Sequence, residues 1–172
     1  MKLIKALVLI FFVGCSAPTI TSNSDKSTNF KSYSSFLLSN RKAALQSNQH
    51  GYENPEINKI IKQAITNELI NAGFNLVKDN PDLLVVYDIV ITEMVDPRVD
   101  SAVIYKPWVD TKIDSFNYSE GLLVVRLIDQ RKGKMVWQGS LSGILNRNPK
   151  QFSKRAETYI SKLFVSLHKQ IQ

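Results

Sequence analysis

The chain has one cysteine, Cys15, and two histidines, His50 and His168, among 172 residues. One thiol closes no intramolecular disulfide, so stability has to come from an apolar core. The two histidines lie far apart, and neither has a His or Cys at ligand spacing. That excludes the common transition-metal motifs and leaves two expected surface histidines. Nor is there a Gly-x-Ser-x-Gly turn; Ser140-Leu141-Ser142-Gly143 falls inside an expected strand. Nucleophilic catalysis therefore has no support. The longest unbroken apolar run, Ala6 to Val13, is eight residues. A spanning helix needs about 20. No catalytic residue, cofactor or metal site is expected.

What the first 14 residues hold is an address. Lys2 and Lys5 precede the apolar run, and Gly14, Cys15 and Ser16 follow it. Charge, short apolar segment and small residues form the layout of a secretory signal. Phe12-Val13-Gly14-Cys15 resembles a bacterial lipobox, with Phe12 where that pattern usually carries Leu. The resemblance implies cleavage before Cys15, a diacylglyceryl group on its thiol and acylation of the new amine. Ordinary cleavage after Ala17 would place Pro18 next, which that peptidase disfavours. Ser16 in place of Asp favours the outer membrane over retention in the inner one.

With residues 1–14 removed, Lys2 and Lys5 go too, and the formal net charge falls from +7 to +5. Residues 16–29 carry seven Ser or Thr and nothing periodic. The lipidated stretch 15–29 thus reads as a tether, and 30–172 as a single domain.

Within that domain, Phe30 to Phe36 is an expected first strand and 39–53 a polar loop. Asn54-Pro55-Glu56 opens a helix. Ile57, Ile60, Ile61, Ala64, Ile65, Leu69 and Ala72 repeat at three and four, and Gly73 stands at its C-terminal stop. A short strand follows at Phe74–Val77. Leu83–Met94 is apolar on both alternating faces, which predicts a central strand covered at least in part on both sides. Glu120–Asp129 and Lys134–Leu145 form a hairpin about the Gln130-Arg131-Lys132-Gly133 turn. Asn148-Pro149 opens a last amphipathic helix. The order β-α-β-β-β-β-α predicts an α+β fold, a largely antiparallel sheet with two helices on one face. Residues 95–119 form an irregular insert, long enough to hide a hairpin extension.

Phe30-Lys31-Ser32-Tyr33, the Asn-Pro-Glu-Ile helix opening, Asn80-Pro81-Asp82-Leu83-Leu84-Val85, Glu120-Gly121-Leu122-Leu123-Val124 and Val136-Trp137-Gln138-Gly139 occur in that order. Together they resemble the lipoproteins of the domain-of-unknown-function family 4136, from about Phe30 to the C-terminus. The resemblance implies an envelope location and this fold, and carries over no catalytic residue.

The insert holds the best candidate surface. Tyr105, Trp108, Phe116 and Tyr118 are four aromatics in 14 residues. They serve either as a partner or sugar contact or as a cap on an open end of the core. The acids Glu93, Asp96, Asp100, Asp110, Asp114 and Glu120 interleave with Arg98, Lys106 and Lys112 and match no Ca²⁺ loop. Trp137 belongs to the core, with Gly139 and Gly143 leaving room on its face. Basic residues are spread rather than gathered, which points away from nucleic acid. The expected function is a lipid-anchored, periplasm-facing binding or scaffold module at the outer membrane. Its partner would be an envelope protein or cell-wall polymer. The alternatives are a small-ligand carrier with a pocket between sheet and insert, and, weakest, a hydrolase using insert carboxylates.

Overall fold

Pro55 sets the first turn of α1 (Pro55–Asn71) and Glu56 faces its positive end. Ile57, Ile61, Ala64, Ile65 and Leu69 are the buried stripe that the spacing predicts. The helix stops at Gly73, whose φ of 96° suits glycine. There Phe74 N–H donates back to the Leu69 carbonyl at 3.1 Å. The computed structural model describes residues 18–39, 55–97, 115–145 and 149–171. Six strands complete the sheet, with α2 (Pro149–Ile171) closing the chain. They are β1 (Thr19–Ser24), β2 (Ser35–Leu38), β3 (Asn75–Leu76), β4 (Leu83–Pro97), β5 (Ser115–Asp129) and β6 (Lys134–Leu145). Their order across the sheet is β1-β6-β5-β4-β2-β3.

The α+β class and the helix pair stand, but the sheet is mixed rather than largely antiparallel. β2 runs parallel to both β3 and β4, while β4–β5, β5–β6 and β1–β6 are antiparallel. The parallel pair β2–β3 is joined through α1, as a parallel connection requires a crossover. Two local expectations also change. Residues 19–24 of the expected tether form β1, paired to β6 from Thr19↔Ser142 to Ser24↔Trp137. Phe30–Ser32 is a 3-10 turn capped by the Asn29 side chain, and strand begins only at Ser35.

One sheet face carries the core. Leu83, Val85, Tyr87, Ile89, Leu123, Val125, Leu127 and Trp137 alternate inward, against Ile160, Leu163, Phe164 and Leu167 of α2 and the α1 stripe. Trp137 stacks on Phe164 at 5.1 Å between ring centres. Gly139 makes that possible: a Cβ there would lie 2.4 Å from Trp137 Cη2 and 2.8 Å from Leu163 Cδ1. β4 lies inside the sheet, between β5 and β2, and its second face is covered in part, as expected. Leu84, Val86, Val90, Leu122, Val124 and Ile128 remain half-buried.

Candidate functional site

Carboxylates come first, because hydrolysis would need two of them converging and available. Asp129 is fully buried, yet it is consumed by structure. It accepts from Tyr33 Oη at 2.8 Å, Arg131 N–H at 2.9 Å and Lys132 N–H at 3.0 Å. Burial pushes its pKa up, but those donors, with the Lys132 ammonium, outweigh it and hold the carboxyl below its ordinary value. Tyr33 answers in the other direction: burial and the Asp129 charge push its phenol up to about 12. Asp82 accepts from the backbone N–H and hydroxyl of both Ser34 and Ser35, and the Ser34 bonds lead in holding its pKa down. Asp25 pairs with Lys134 and caps Ser27, which lowers it well below the usual range. Each of these acids fixes a turn or a strand start. Among the described residues no three His, Cys, Asp or Glu stand close enough to hold a metal ion.

The outer sheet face is where side chains meet solvent in an organised way. The Arg126 guanidinium pairs with Asp88 across β4–β5 and donates from Nε to Gln138 Oε1 at 3.2 Å across β5–β6. Apolar Leu84, Val86, Val90, Leu122, Val124 and Ile128 surround this polar bridge. Toward β1 the face turns to hydroxyls, with Thr21 Oγ1 and Ser140 Oγ 2.6 Å apart. Such a face offers apolar contact area beside hydrogen-bonding groups.

Of the four aromatics, Tyr105 and Trp108 lie outside the described residues, as does Cys15. Phe116 and Tyr118 are on β5, in register with Asp96 and Met94 of β4. They belong to strand rather than to an irregular insert. Beyond Val90↔Leu122 β4 and β5 continue as an arm to Pro97↔Ser115, with β6 alongside as far as Ser119↔Leu145. The alternation Ser-Phe-Asn-Tyr-Ser over 115–119 was the signal for it. Sequence reasoning also missed a helix-to-helix contact. His168 Nε2 lies 3.2 Å from the Glu68 carbonyl and 3.7 Å from its carboxylate, so this histidine joins α2 to α1.

Solved structures share this fold. A DUF4136 family protein from Bacteroides thetaiotaomicron matches with a TM-score of 0.61 at 18% identity, over 92% of this chain and 100% of that one. PelC from Paraburkholderia phytofirmans, a dodecamer, matches at 0.52 and 16%, over 88% and 97%. A PDZ domain protein from Parabacteroides distasonis matches at 0.56 and 14%, over 88% of this chain. This chain spans only 36% of that protein's length. At such identities the likeness speaks for fold alone. Among curated proteins, none is similar to this chain in sequence. The model of a domain of unknown function, DUF4136, matches residues 20–166, and the chain belongs to that family.

Proposed function

We propose that this protein is a lipid-anchored envelope lipoprotein, a non-catalytic binding or scaffold module facing the periplasm from the outer membrane. The observation that carries it is the position of the only cysteine, behind two lysines, an eight-residue apolar run and Gly14. The described part of the chain is compatible with that reading. Its buried and partly buried acids are engaged in structure, and its open sheet face is built for contact. Among the described residues no helix is long and apolar enough to cross a membrane. An envelope protein or cell-wall polymer is the partner class that this location supplies, and nucleic acid is not.

Fractionation of cells producing wild type and Cys15→Ser tests the proposal. Wild type should appear in the outer-membrane fraction as the processed form. The Cys15→Ser chain should lose that association and processing together. Equal amounts of processed protein in the outer membrane from both chains would refute the anchor.

A further inference from the structure

Pro18 lies against Gly143, where an added Cβ would come 3.0 Å from Pro18 Cβ. Gly143 pairs with Gly121, and Gly121 with Ile91. Pro18 is therefore level with Ile91, at the root of the β4–β5 arm. β1 runs away from that end, since Thr19 pairs with Ser142 and Ser24 with Trp137. The chain thus enters β1 at the end from which the arm extends.

Two lengths then compete. Cys15 is three residues before Pro18, a reach of at most about 11 Å even when fully extended. The arm continues from Ile91 to Pro97, six residues further, or about 20 Å in antiparallel strand. The leash is shorter than the arm. A domain tied to lipid at Cys15 cannot stand clear of the bilayer with the arm pointing at it.

We infer that the β4–β5 arm, Ile91–Pro97 paired with Ser115–Gly121, rests on the lipid bilayer surface and sets the orientation of the domain there. The inference deepens the lipoprotein reading and rests on it. Composition agrees with the lipid surface as occupant. The arm carries Ile91, Met94, Val95, Phe116 and Tyr118, and tyrosine is favoured at the membrane–water boundary. It carries Glu93, Asp96 and Glu120 and no Lys or Arg. Attraction to anionic headgroups is therefore not the force; the leash and apolar contact are. The Gln130–Gly133 turn, at the other end of β5, points into the periplasm.

The test uses full-length protein processed in cells and reconstituted into phosphatidylcholine vesicles containing a headgroup spin-labelled lipid. Acylation leaves Cys15 without a free thiol, so one introduced cysteine takes one fluorophore. A label at Asn117→Cys should lose emission to the lipid spin label, while a label at Lys132→Cys should keep it. Amide exchange on unsubstituted protein provides a readout free of any variant. It should slow over 91–97 and 115–121 on vesicles relative to detergent-free soluble domain. Acylated protein with equal emission at both labels and no slowing would overturn the inference alone. Protein whose Cys15 reacts with the fluorophore would instead overturn the lipoprotein reading beneath it.

Discussion

Asp129 shows how a charge is kept inside an otherwise apolar core. Its oxygens satisfy two backbone N–H groups of the following turn and the Tyr33 hydroxyl, so the β5–β6 hairpin and the segment before β2 are tied through one carboxylate. Hydrogen bonds to a charged group contribute about 1.5–3 kcal/mol in net stability. Asp129→Asn keeps the shape and removes the charge, and should cost about 2 kcal/mol at neutral pH in urea unfolding. The same residue sets an acid limit. The folded pKa values of Asp129 and Asp82 lie below the unfolded value of about 4, so their stabilisation is complete above that pH. It drains away as pH falls through the folded values, because the unfolded chain binds the protons more readily. Wild type should lose stability below about pH 4, and Asp129→Asn should show a shallower fall in the same titration. At the alkaline side the sign reverses. Tyr33 and Tyr87 are pushed up to about 12, mainly by burial. Stability should decline as pH rises from about 10 through those values. Gly139 is a limit of space instead of charge. Gly139→Ala forces a methyl into Trp137 and Leu163 and should cost about 1–3 kcal/mol, read as a lower Tm.

At the scale of elements, legibility followed the strength of the repeating pattern. α1 and α2 were readable because their stripes run for several turns between an Asn-Pro start and, for α1, a glycine stop. β5 and β6 were readable through alternation on either side of Gly133, whose φ of 61° fits the turn. β1 was not readable. Thr-Ile-Thr-Ser-Asn-Ser shows no apolar alternation, and of its residues only Ile20 packs against the core. Its stability comes from backbone pairing with β6, which leaves no mark on side-chain composition. β2 and β3, with four and two residues, are too short to display a period, so their parallel pairing was invisible. The candidate aromatics were visible as a cluster, but the placement of Phe116 and Tyr118 on a strand depended on register. A deletion separates strand from tether. Removing residues 15–24 from the soluble domain should lower its unfolding free energy by on the order of 2–4 kcal/mol, as the β1–β6 bonds are lost. A dispensable tether would leave it unchanged.

For the whole molecule, the sheet divides the protein into a helix-covered side and an open side, and the N-terminus divides it into two ends. The buried core joins α1, α2 and one sheet face into one unit. Among the described residues, Lys154, Arg155, Lys162 and Lys169 are exposed on α2, while Lys134 is paired with Asp25. On the proposed anchor at Cys15, a short leash would hold the open face steeply to the membrane. The proposed anchor is Cys15. Mass spectrometry of the N-terminal peptide from the membrane fraction tests it most directly. The expected peptide begins at Cys15 and carries a diacylglyceryl group on sulfur and an acyl chain on its amine. A peptide with an unmodified Cys15 thiol, whether it begins at Met1 or at another cut, would contradict it.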